Sequence, residues 1–295
     1  MASFSPTAHA PSRPHFGVQT LLRVAAASSV AQGDGGAWVT DDINDRLIRF
    51  DPTTGHTERS VALAGRPVAM ILNGRDLWVA DMVKNLVEEF SAGDLHLVRS
   101  IPVPVGPSGL ATLHGVIWVA SVDAGEVTPI NPGSGIEGQA VPLSAGAVRI
   151  AAGFGALWVT GVSDTLTEME PPRPVGAAPV LHTITVGDTP IGVATGDGSV
   201  WVANSSSGTV TRVDPLTRAT AHTYGIGGDP LAIAVAGGNV WVGDGSAARL
   251  RTVFPTPGLA PVFLGGSPRS LLSVGDGVWI TTANPARVLA ARVSG

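Results

Sequence analysis

The chain has 295 residues, 44% of them hydrophobic and only 14% charged, with 38 Gly, 23 Pro, seven Trp, one Tyr and no Cys. That much apolar side chain excludes a disordered polymer, and the Gly and Pro point to many turns. The missing Cys removes disulfides, thiolate metal sites and thiol nucleophiles, and a net charge of −5 excludes a general nucleic-acid binder, which needs a basic surface to displace counterions.

From the N-terminus, residues 1–16 read as a flexible leader and 17–295 as a single domain. The leader lacks the charged start and apolar run of a signal peptide. No later stretch reaches the ~18 apolar residues of a membrane span. A cytoplasmic monomer with no membrane partner is the expectation; the alternative is an extracellular domain cut from a longer chain. Residues 18–24 alternate as a strand and run into a second strand at Ser28 to Ala31, which leads to Trp38.

From Trp38 onward the chain repeats. The tryptophans stand at 38, 78, 118, 158, 201, 241 and 279, with gaps of 40, 40, 40, 43, 40 and 38. Eleven residues before Trp there is a proline in five units, Pro67, Pro107, Pro190, Pro230 and Pro268, with Ala27 and Ala147 in the other two. A turn dipeptide such as Asp51-Pro52, Asn131-Pro132 or Asp214-Pro215 follows each of three tryptophans at a fixed offset. Each unit therefore predicts four short strands. In the fifth, Pro190 opens strand one, Gly196-Asp197-Gly198 turns the chain, and Val200 to Ala203 is strand two. Thr209 to Val213 is strand three and His222 to Ile226 strand four. Gly allows the positive φ of a hairpin turn and Pro presets a type I turn. Four strands per ~40 residues is the signature of a β-propeller.

Blade four departs from the template: Arg149 replaces a small residue, and Pro171-Pro172-Arg173-Pro174 lengthen the outer turn. The chain ends at Arg287 to Val293, a third strand lacking a fourth. The fold class is thus all-β, a seven-bladed β-propeller with four antiparallel strands per blade, the last blade completed by the N-terminal strand. This arrangement covers both open sheet edges. An apolar series on strand one, from Val30 and Met70 to Leu271, is expected to pack between blades.

The loops after strand two and before strand one share one face, the mouth of the central funnel. Three residues after Trp stand Asp41, Asp81, Ser121, Gly161, Asn204, Asp244 and Thr282. Converging, Asp41, Asp81 and Asp244 would suit a hard cation, Mg2+ or Ca2+, which wants several oxygens. Separately, each would cap its own turn. Arg149 and Arg269 stand on the opening turns of strand one. Each either clamps a carboxylate or phosphate with its planar fork, or pairs with a neighbouring Asp and holds two blades together. With Arg149, Arg269, Asp41, Asp81, Asn204 and Asp244 as its candidate residues, the funnel face would take a small-molecule, peptide or protein ligand. None of the seven His maps to the funnel mouth, so a His base or His metal site is not expected there.

The motif Gly-Asp-Gly-Ser-Val-Trp-Val-Ala-Asn at 196–204, with Thr209 to Pro215 and Ile184 to Pro190, resembles the YVTN/YncE-like seven-bladed propellers and the related virginiamycin B lyase-like propellers. The resemblance spans about residues 18–293. The lyase side of it implies a magnesium-assisted elimination that opens a cyclic depsipeptide, with a catalytic His after the blade-opening Pro and a Glu three residues after Trp. The matching positions hold Leu231 and Arg269, and Asp244 and Thr282, so a base would have to come from elsewhere. Three functions remain: a binding or scaffold propeller, a lyase-like enzyme with diverged residues, and a sensor domain of a larger signalling protein.

Overall fold

The computed structural model describes residues 15–33, 35–171, 178–255 and 259–294. Among them every regular element is a β-strand, and the strands form seven antiparallel sheets of four. Six sheets are each a continuous run of chain, meandering outward in the order one, two, three, four. The seventh takes Ser267–Val274, Gly277–Ala283 and Arg287–Ser294 from the C-terminus and His15–Arg23 from the N-terminus. The closing register runs from His15 opposite Ser294 to Arg23 opposite Arg287. His15 and Phe16, assigned to the leader by composition, therefore belong to the outer strand of blade seven. Residues 1–14, and most of the blade-four proline insertion at 172–177, lie outside the described residues.

Blade closure is sealed by packing as well as by hydrogen bonds. Leu21 and Leu22 of the N-terminal strand pack in one cluster with Val39 and Phe50 of blade one and Trp279 and Val288 of blade seven. The same kind of layer recurs between other neighbours, as where Trp38 and Leu47 of blade one meet Met70, Leu77 and Phe90 of blade two. All seven tryptophans are buried in these layers. The core is therefore a ring of inter-blade layers, in which each large apolar side chain contributes about 1.5–3 kcal/mol.

In blades three to six the hairpin between strands one and two uses two consecutive left-handed residues. Asp197 and Gly198 have φ of 48° and 67°, and Phe154 and Gly155 of 55° and 79°. Two residues in that region twist the hairpin with the strands, as a type I′ turn does. The fourth strand shrinks to two residues in blades three and six, Val141–Pro142 and Val262–Phe263. Proline has no N–H to give a ladder, and Pro142 ends the blade-three edge after two residues.

One irregularity sets up the centre. Where Pro opens strand one, the register shifts between that Pro and the residue two further on: Pro67/Ala69, Pro107/Gly109, Pro190/Gly192, Pro230/Ala232 and Pro268/Ser270. Without the Pro, the Val148 amide still donates to the Thr160 carbonyl while Arg149 also stands opposite Thr160. Ser28 and Ser29 share Thr40 in the same way. Every blade thus carries a bulge at its innermost, upper corner, the device that re-aims a side chain off a regular ladder.

Candidate functional site

The bulges ring the mouth of the central channel, a cavity of about 450 Å³. In six blades the residue after the blade-opening position forms its rim, apolar at Val68, Ile191 and Leu231, hydroxylated at Ser28 and Ser108, and cationic at Arg269. One residue deeper the ring is small, Ser29, Ala69, Gly109, Gly192, Ala232 and Ser270, with Arg149 the exception. Deeper again comes an apolar ring: Met70, Leu110, Ile150, Val193, Ile233 and Leu271. The sequence pattern assigned this last series to packing between blades. Val30, Met70, Leu110, Ile150 and Ile233 are indeed buried. Val193 and Leu271 are half-buried, and all of the series but Val30 also face the channel. Strand one is the innermost strand, so its side chains serve core and channel together.

Three arginines and one carboxylate line the cavity: Arg66, Arg149, Arg269 and Asp42. Arg269 Nη1 donates to Asp42 Oδ2 at 2.6 Å, tying blade seven to the loop of blade one across the closure. Arg149 has no such counterion among the described residues. Its Nη1 donates to the carbonyl of its own neighbour Val148 at 2.9 Å, and its amide is held by Thr160 Oγ1 at 3.1 Å. Burial pulls the Arg149 guanidinium below its ordinary pKa, because desolvation disfavours the charged form. Arg66, exposed at the rim just before Pro67, likewise makes no ion pair with a described residue. Two uncompensated guanidiniums therefore face a concave space whose only acid among the described residues is already engaged.

Arg149 and Arg269 thus come together at the channel. Asp41, Asp81, Asn204 and Asp244 do not line it. All four are buried, each the last residue of strand two in its own blade. Asp41 Oδ1 accepts from the amides of Ile43 and Asn44, and Asp81 Oδ1 from those of Val83 and Lys84. Asn204 Nδ2 donates to Thr209 and Thr211 hydroxyls at 3.0 and 2.9 Å. Asp244 accepts from the amides of Asp229 and Ala247, from Ser246 Oγ and from Arg251. A hard cation needs several oxygens on one point, and these carboxylates are spread over separate blades, each with its Oδ1 turned to backbone amides. Among the described residues the acidic group whose ligand atoms do lie close, Glu168, Glu170 and His182, sits on the outer strands of blade four. Arg218 bridges both of its carboxylates at 2.5 Å.

Two channel residues were harder to see in the sequence. Asp42 stands among several acids of the same loop, and nothing local marks it as the partner of a residue 227 positions away. Arg66 precedes its blade-opening Pro and falls outside the repeat positions that mark Arg149 and Arg269. Its one signal is a long cation directly before the bulge.

No protein-family model matches the sequence, and no curated protein matches it. Solved structures match by fold. A streptogramin B lyase superposes with a TM-score of 0.80 at 15% identity, covering 95% of this chain and 98% of that one. The virginiamycin B lyase of Staphylococcus aureus gives 0.81 at 13%, covering 95% and 99%. The WD40 repeats of RRP9 give 0.79 at 11%, covering 94% and 97%. The chain is therefore a seven-bladed propeller whose structural neighbours include the streptogramin B lyase-like propellers, and at these identities the likeness is one of fold.

Proposed function

We propose that this propeller is a binding module whose upper channel receives an anionic group of its ligand. The observation that carries the reading is Arg149, a desolvated guanidinium in a ring of small side chains with no carboxylate beside it. An uncompensated, partly buried charge is costly. A ligand carboxylate or phosphate would offset that cost with charge-assisted hydrogen bonds to a planar fork. The channel wall has no His, Cys, Lys, Glu or Tyr among its described residues, which supports binding over acid–base chemistry.

The test is a thermal-shift and calorimetric screen of carboxylates, phosphates and acidic peptides on the native chain and on Arg149→Gln. Ligand at about 100 Kd stabilises by about 2.7 kcal/mol. The native protein should show such a shift with at least one anion, and Arg149→Gln should lose most of it. Equal shifts in both proteins would overturn the reading. The fold likeness to streptogramin lyases supports a second reading, depsipeptide ring opening. There Asp42, the one channel carboxylate among the described residues, would have to serve as base, and Arg269 already holds it. Linear product from a cyclic depsipeptide with Mg2+, above a no-protein control, would favour that reading.

A further inference from the structure

Resting on the anion-binding reading of the channel, we propose that its ligand is an amphipathic monocarboxylate, with the carboxylate on Arg149 and an apolar tail running down the channel. Three features of the wall select this class.

The first is the order of the rings. Arg149 stands in the small ring, and the ring below it is wholly apolar, from Met70 and Leu110 to Ile233 and Leu271. Successive strand residues are about 3.3 Å apart, so a head group on Arg149 places its next few carbons against that apolar ring. A cavity of about 450 Å³ is within the range of small-molecule sites.

The second is what the wall withholds. Ser28 Oγ donates to the Pro67 carbonyl at 2.9 Å, Ser29 Oγ accepts from the Met70 amide at 3.1 Å, and Ser108 Oγ donates to the Val148 carbonyl at 2.8 Å. Three of the four serines that line the channel are thus held in staples between neighbouring blades, Ser270 being the fourth, which leaves little to satisfy a sugar. No aromatic ring lines the channel among the described residues, so a nucleobase has no face to stack on.

The third is charge. Asp42 neutralises Arg269, which leaves, among the described residues, Arg149 as the half-buried cation without a counterion and Arg66 as an exposed one at the rim. One desolvated cation matches one negative charge, and a dianionic phosphate carried down to it would arrive half-paired.

Isothermal titration with acetate, inorganic phosphate, octanoate and 1-octanol on the native chain, Arg149→Gln and Val193→Thr tests this. Val193 is half-buried and faces the channel, so a hydroxyl there alters the tail contact without opening the core. Octanoate should bind ~tenfold or more tighter than acetate, the value of about two buried methylenes. Arg149→Gln should weaken octanoate by ~tenfold or more, as loss of a charge-assisted hydrogen bond does. Val193→Thr should weaken octanoate severalfold and leave acetate unchanged. Acetate or phosphate binding as tightly as octanoate, and depending on Arg149, would overturn the monocarboxylate class while leaving the anion site standing. Octanol matching octanoate, with Arg149→Gln unaffected, would overturn both. Absence of binding by any of the four probes would overturn this class and leave the acidic-peptide arm of the screen above to decide the site.

Discussion

Blades two and six carry the same scaffold and opposite electrostatics. In each, an Asp stands three residues after Trp and a long charged side chain ten residues after it, opposite the Val that follows Trp. In blade six the pair is Asp244 and Arg251, bonded at 2.9 Å. Burial pushes the Asp244 carboxyl up, but the amides of Asp229 and Ala247, Ser246 and Arg251 together hold it below the ordinary carboxylate range. In blade two the pair is Asp81 and Glu88, two acids. Glu88 is buried and is pushed above its ordinary pKa by desolvation and by the Asp81 charge, with only a long 3.4 Å bond from the Ala64 amide to oppose them. Asp81 Oδ2 is buried without a hydrogen-bond partner. The tryptophans differ in the same sense. Trp241 Nε1 donates to the Ala236 carbonyl at 3.1 Å, whereas Trp78 Nε1 has no acceptor. The repeat therefore fixes where a polar pair sits, and each blade decides whether that pair stabilises.

The largest expected effect comes from breaking the blade-six pair. Arg251→Leu leaves Asp244 buried without its cation and should cost about 3 kcal/mol in urea unfolding at pH 7. A loss below ~1 kcal/mol would make the pair a bystander of the backbone bonds around it. Next in size is the indole comparison. Trp241→Phe should cost ~1 kcal/mol more than Trp78→Phe, because only the first loses a hydrogen bond and orphans a carbonyl. Equal costs would mean that both indoles are equivalent packing units.

The smallest effect is the most diagnostic, because its sign is opposite. A carboxyl with a raised folded pKa loses stability as pH rises from its unfolded value, near 4.5 for Glu88, through the folded one. Glu88→Gln should therefore raise Tm at pH 7 by about 2 °C, and the gain should vanish by pH ~4. For Asp244, depressed in the fold, the stabilisation is present above about 3.8 and lost as pH falls through the folded value. Asp244→Asn should be destabilising at neutral pH and progressively less so in acid. Parallel pH profiles for the two variants would erase the difference between the blades.

The tryptophan spacing, the blade-opening prolines and a strand-three pattern at Arg287 to Val293 with no strand-four pattern after it in the sequence were enough to define the architecture, down to the N-terminal strand that closes blade seven. The site was legible in part. Arg149 stood out because it interrupts a column of small residues, and Arg269 because it stands directly after Pro268. Asp41, Asp81, Asn204 and Asp244 drew attention for the same positional reason, yet their side chains turn into their own loops. Acid, amide and hydroxyl at one repeat position do not reveal which way the side chain points.

What the sequence alone determined is the repeated blade, since every unit meets the same local demands: an apolar pair of inner strands, a glycine turn and a buried indole. These are properties of some forty consecutive residues and show as a period. What the tertiary structure decided is everything set by closing the ring. The bulges aim the rim residues inward, Asp42 meets Arg269 from the opposite end of the chain, and Arg149 is left without a counterion among the described residues. Such contacts depend on how neighbouring blades abut, a distance that no local pattern encodes.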